Sequence, residues 1–281
     1  MQTPDPRLTL MRRLAWTCVA LLLAITTLSA FIRLSRAGVG CEPWPQCHAQ
    51  RQLIPATQLA AADTPEVAHA RIAHRILGGA AVLLMIVLLV QAWSRTPVYK
   101  EQGQLAAAML LLGLFLAILG RTAGDPRVPA VVAANLLGGF STLALAWRLA
   151  LSCDGGHGRA PPTRKARHFL VAALMLLALQ VALGGLLSAS EGPGRCGESL
   201  LCSGHRLSGV ATVVASALAG AAAWRPGGFA ARAVLPLAAV QAALGLALLG
   251  SQVTLLLVLA HNVIAAVLAA VLFGLVSVPR R

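Results

Sequence analysis

Eight long apolar runs dominate the chain, near residues 14–33, 72–93, 104–120, 129–150, 168–188, 204–223, 232–250 and 254–277. A helix that crosses a bilayer needs roughly 20 such residues. Lipid offers the backbone no hydrogen-bonding partner, so runs of this kind must close their own bonds as helices. The expected fold is therefore all-α, a polytopic membrane protein with eight transmembrane helices. Composition agrees, because only 11% of the 281 residues are charged, against about a quarter in soluble domains.

The net charge of +14 could suit nucleic acid, but its distribution does not. That function needs basic residues gathered on a soluble face, usually with aromatics between them. Here the aromatics are 4% and the arginines stand mostly at the ends of apolar runs, where they act as topology signals. Arg7, Arg12, Arg13, Arg95, Lys100, Arg159, Arg164, Lys165, Arg167, Arg225, Arg280 and Arg281 mark one side. The alternate loops hold Glu42, Asp63, Glu66, Asp125, Glu191 and Glu198. Both termini are thus expected in the cytoplasm, with the chain in a bacterial inner membrane. The first run also has features of a cleavable signal peptide, with Arg12-Arg13 before it and Leu28-Ser29-Ala30 near its end. Its apolar part is long for that role, and cleavage would leave an odd number of spans.

The two halves resemble each other. Cys41 and Cys47 stand six apart, as do Cys196 and Cys202. His74-Arg75-Ile-Leu-Gly78 matches His205-Arg206-Leu-Ser-Gly209, an offset of 131, and Leu119-Gly120 matches Leu249-Gly250, an offset of 130. Four spans per copy give both copies one orientation, about an axis along the membrane normal. The expected organisation is two pseudo-symmetric four-helix bundles, 1–150 and 168–281, joined by a cytoplasmic linker at 151–167.

Ionisable residues inside a membrane are costly and point to function. His205 and His261 fall on the second and fourth helices of one bundle at similar depth. Two neutral imidazoles facing each other across a bundle form a bis-His axial site for haem iron; the plainer reading is a pair of hydrogen-bonded core residues. A zinc site would need further ligands, and no cysteine or carboxylate is placed to supply them. In the N-terminal copy His74, expected in the first turn of span two, matches His205, but Asn135 stands where His261 is matched. One face of an iron held there by His74 would stay open; the alternative is a degenerate copy kept for packing. His69 lies five residues before His74, about 140° around a helix, so the two cannot face one pocket centre. Glu66-x-x-His69 brings a carboxylate and an imidazole together. The repeat supports His74, the carboxylate supports His69, and His74 is preferred. The cysteine pairs read as structural disulfides, Cys41–Cys47 and Cys196–Cys202, on the oxidising side of the membrane. A redox or haem-delivery use of one pair is the alternative.

These residues carry a resemblance. Arg33-Leu-Ser-Arg-Ala-Gly-Val-Gly-Cys41-Glu-Pro-Trp44-Pro45-Gln-Cys47 resembles the first-loop signature of the haem A synthases, the CtaA-type membrane enzymes. The paired His-Arg-x-x-Gly motifs, Leu-Ala-His261, Gln180-Val-Ala-Leu-Gly184 and Gln241-Ala-Ala-Leu-Gly245 fit the same family. The resemblance implies an oxidoreductase that converts the C8 methyl of haem O to the formyl group of haem A. It implies a haem b cofactor on the iron ligands His205 and His261. It implies a substrate haem O site at His74, Asn135 and His69, with catalytic roles for His74 and, if Glu66-x-x-His69 is the matching motif, for Glu66. Arg71 stands three residues before His74, where the family usually has glutamate, and Asn135 replaces a histidine. The partners implied are haem O synthase and cytochrome oxidase assembly proteins; homo-oligomerisation is left open. A haem b protein without enzymatic activity and a transporter built on parallel repeats are the competing readings. The transporter would need midplane polar residues, and spans three, four and seven offer little beyond Gln241.

Overall fold

In the computed structural model the described residues are 5–39, 41, 43, 46–55, 58, 61–122, 128–154, 161–190, 199–224, 228–250 and 253–278. They form helices α1 (Pro6–Arg36), α2 (Gln46–Gln52), α3 (Pro65–Trp93), α4 (Lys100–Thr122), α5 (Pro129–Ser152), α6 (Arg164–Ser190), α7 (Leu200–Ala223), α8 (Gly228–Ala247) and α9 (Leu255–Val276), and no strand. All but α2 are long and apolar enough to cross a bilayer. The chain is a multi-pass, all-α membrane protein.

Most of these helices outrun the apolar segments that announce them. α3 begins at Pro65, seven residues before its apolar run, so His74 lies in the third turn of the helix and not in the first. Local chemistry accounts for the early starts. Proline opens α1, α3 and α5, where its fixed φ suits the first turn and its missing N–H costs nothing. The side chains of Asp5, Ser199 and Thr254 cap α1, α7 and α9 by accepting from Arg7, Cys202 and Leu257 N–H at 2.8, 3.1 and 3.3 Å. Helical backbone therefore continues past the apolar run into the polar edge. The short helix α2, in the loop after α1, has no apolar signal and was not expected.

Helices α1, α3, α4 and α5 pack in a ring, and α6, α7, α8 and α9 pack in a second one. The rings meet along α5, which touches α6 and α9, and along the contact of α1 with α9. Small residues set these crossings. A Cβ on Gly274 of α9 would lie 2.9 Å from the Trp147 indole of α5, and one on Gly185 of α6 would lie 3.2 Å from Cα of Ala133 of α5. Trp147 in turn meets Trp16 of α1 edge to face at 5.0 Å. The interior is filled by Met11, Met85, Met109, Leu143, Leu170 and Leu268, each almost fully enclosed.

At the end of the fold opposite the 41–47 loop, Arg7 closes the C-terminus of α3. Its guanidinium donates to the carbonyls of Gln91, Ala92, Arg95 and Pro97 and stacks over Tyr99 at 4.5 Å. Tyr99 also hydrogen-bonds Asp5. A cation at a helix C-terminus is favoured by the dipole and by charge-assisted bonds. Arg7→Ala is expected to lower stability by about 1–2 kcal/mol, read as a drop in the detergent melting temperature. Arg7→Lys should recover part of the loss.

Candidate haem site

The inward stripe of α7 runs through Cys202, Thr212, Ser216 and Ala219. His205 and Gly209 fall on it at helical spacing. On α9, His261 precedes the buried positions Ala265, Leu268 and Leu272 along one face. The two imidazoles are half-buried. They face the same interior.

Each imidazole is received by the helix that precedes its own in the chain. Gln180 of α6 approaches His205, Nε2 to Nε2, at 3.3 Å. One turn on, Gly184 leaves the ring its place: a Cβ there would sit 2.9 Å from His205 Cε1. Gln241 of α8 approaches His261 at 3.2 Å from Nδ1 and 3.1 Å from Nε2. One turn on again, a Cβ at Gly245 would lie 3.5 Å from His261 Cε1. The Gln-x-x-x-Gly motif is thus the receiving surface for a histidine, built twice in one bundle. Sequence reading quoted both motifs without giving them this task; their repetition ahead of each histidine was the available signal.

Buried polar atoms normally find partners, yet His205 Nδ1, Gln241 Oε1 and Asn262 Nδ2 are buried and unpaired here. Two inward imidazoles on two helices of one bundle suit a bis-His haem site, and the unpaired polar atoms leave hydrogen-bond capacity beside them. No group of three or more His, Cys, Asp or Glu placed to hold a bare metal ion occurs among the described residues. The residues fit a porphyrin iron held between two histidines.

The N-terminal bundle is built differently. His74 and Gly78 lie on the α3 stripe of Val67, Ala70, Ala81, Met85 and Leu88, so His74 faces the interior and is half-buried. A Cβ on Gly78 would meet nothing within 4 Å. Among the described residues no hydrogen bond reaches the His74 ring, and the position matching Gln241 is Leu111. Asn135 is half-buried on α5, three residues after buried Val132. His69 and Glu66 are exposed on other faces of α3. An open cleft of about 250 Å³ sets Glu66 beside Cys41, Arg51 and Leu255.

Arg71 reaches toward a carboxylate that sequence reading treated only as a loop charge. Asp63 accepts from Arg36 Nε and Nη2 at 2.8 and 2.7 Å and lies 3.5 Å from Arg71. Its side chain is 2% exposed. The hydrogen bonds from Arg36, then the charges of Arg36, Arg71 and Arg51, hold its carboxyl below the usual range against the opposing effect of burial. The structure pairs Cys41 with Cys47, their Cα atoms 6.0 Å apart. The proposed partner of Cys202, Cys196, lies outside the described residues.

Residues 12–199 match the COX15-CtaA family, whose description is cytochrome oxidase assembly protein. The chain belongs to this family. It is also 29% identical, over 205 residues, to a heme A synthase of Shewanella oneidensis. That alignment covers 67% of this chain and 60% of the relative, so the chain spans less than two thirds of the protein it matches. The COX15-CtaA match runs from Arg12, in the second turn of α1, to Ser199, just before α7. His205 and His261 lie beyond it.

Proposed function

We propose that this COX15-CtaA protein is a haem A synthase, an oxidoreductase that converts the C8 methyl of haem O to a formyl group for haem-copper oxidase biogenesis. The observation that carries the reading is the pair of received imidazoles, His205 and His261, inside one bundle, together with the likeness to the Shewanella oneidensis enzyme. In this reading both histidines hold haem b through iron. When bound, that group supplies one-electron transfer. The residues around it keep water out and fix the ring planes.

His74 takes the iron of substrate haem O in the N-terminal bundle. Its free ring and the space beside Gly78 suit a guest that enters and leaves, whereas His205 and His261 suit a resident one. Asn135 is a poor ligand, which leaves the far face of that iron open for chemistry. The methyl-to-formyl change removes four electrons and adds one oxygen atom, and a haem b in the second bundle would carry electrons for it. The arginine-rich ends lie in the cytoplasm, as do both termini. The Cys41–Cys47 and Cys196–Cys202 pairs then face the oxidising side of a bacterial inner membrane as disulfides.

A second reading, a haem b protein that has lost this activity, is favoured by Asn135 and by Arg71, which is committed to Asp63. Co-expression with a haem O synthase separates the two. Haems extracted from those membranes and identified by mass should include haem A or its hydroxylated precursor, and His74→Ala should abolish both. Unchanged haem O beside bound haem b would leave the second reading.

A further inference from the structure

Arg33 stands near the end of α1, half-buried where the two rings meet. Its guanidinium donates to the Ser188 hydroxyl of α6 at 3.4 Å, and that hydroxyl gives its own hydrogen to the Gly185 carbonyl at 3.0 Å. The two residues are counterparts in the internal repeat. They are 155 apart, the separation of Cys41 from Cys196 and of Cys47 from Cys202. Equivalent positions thus meet, and only one of them carries charge.

That charge is unmatched. Among the described residues Arg12 pairs with Asp154, Arg36 and Arg71 share Asp63, and Arg148 pairs with Glu101, but no carboxylate reaches Arg33. The long bond to Ser188 leaves most of the guanidinium's donors unused. A cation in an apolar span is costly without a partner, and a guanidinium fits a carboxylate with two parallel bonds.

The place of Arg33 shows where such a carboxylate would come from. Gln180, Gly184 and Ser188 follow one another at four-residue steps along one stripe of α6, and the first two receive the His205 ring. Ser188 is therefore one turn beyond that ring, roughly 6 Å along the helix. The segment that ends α1, through Leu34, Ala37 and Val39, packs against Leu255 and Val258 of α9. Val258 lies one turn before His261. The end of α1 thus stands one turn beyond both histidines.

A haem projects two propionate carboxylates from one edge of its ring. We propose that Arg33, on a helix of the N-terminal ring, receives a propionate carboxylate of the haem held by His205 and His261. The role rests on that haem site. Binding exchanges the weak Ser188 contact for a charge-assisted pair, and each buried charge meets its partner. The C-terminal site is completed from the other half of the chain.

The test titrates the haem-free, full-length chain in detergent with haemin and with haemin dimethyl ester, whose propionates carry no charge. The low-spin, two-histidine spectrum follows the C-terminal site, and a His74→Ala background removes binding at the other. Haemin is expected to bind at least about tenfold more tightly than the ester, the worth of a hydrogen bond to a charged group. Arg33→Met should weaken haemin by that factor and leave the ester unchanged, which abolishes the preference. Equal affinities for the two porphyrins in the His74→Ala chain would overturn the proposal without any change at Arg33. So would an Arg33→Met chain that loses both alike, the mark of a strut between helices. A preference found only in His261→Ala, with His74 restored, would move the carboxylate to the substrate haem and overturn the assignment. No low-spin spectrum with either porphyrin would refute the histidine pair and the proposal with it, whereas a low-spin spectrum without the preference refutes Arg33 alone.

Discussion

His261→Ala is expected to strip haem b from the purified chain, lowering its content by at least about tenfold. The loss of a partner next to a metal ligand already costs 10–100-fold in affinity, and this change removes a ligand itself. It also leaves Gln241, whose carbonyl oxygen is already buried and unpaired, with no imidazole to contact. The pyridine haemochrome of protein purified from haem-replete membranes measures the content, and low-spin signals in electron paramagnetic resonance report the two-histidine ligation. His168→Ala is the control, because His168 is exposed at the first turn of α6 and should leave both readouts intact. A His261→Ala protein that keeps wild-type haem content and a bis-His spectrum would remove His261 from the site.

Asp63→Asn is expected to cost about 3 kcal/mol of stability, the order seen when one partner of a buried ion pair is removed. The variant leaves the guanidinium groups of Arg36 and Arg71 side by side with no carboxylate between them. The acid dependence follows from the direction of the Asp63 shift. A carboxyl held below its unfolded value of about 3.9 stabilises the folded chain at all pH above that value. This contribution is lost as pH falls through the lower folded value. Melting temperatures in detergent should therefore include an Asp63 contribution that is flat from neutrality to about pH 4 and falls below it. In Asp63→Asn the midpoint starts lower and that part of the acid decline is missing. Equal midpoints for the two proteins at neutral pH would show that the cluster contributes nothing to stability.

The eight spans were legible because hydrophobic length is a one-dimensional property, and lipid permits only one backbone solution to it. Helix starts were less legible, since Pro65 and the cap at Ser199 act in polar sequence where hydropathy is silent. His205 and His261 could be singled out because charge-capable rings are rare in apolar runs. The repeated glutamine motifs were visible too, but their task was not, because whether an amide reaches an imidazole depends on how α6 meets α7 and how α8 meets α9. The same holds for Arg71. Its position three residues before His74 suggested a place beside that histidine, and only the return of the 61–64 segment showed that Asp63 pairs with it. The disposition of Glu66 and His69 on exposed faces likewise needed the rotation of α3 about its axis.

The crossing of α5 and α6 at Ala133 and Gly185 places main chain almost against main chain. Gly184, the next residue toward the receiving turn, fits against the His205 ring, while Asn135 stands two residues along from Ala133. At this crossing α5 and α6 are closely packed, with the Leu136 side chain and the Ala133 main chain directly against Gly185. If the two rings hold haems as proposed, the distance between them is set by this backbone contact.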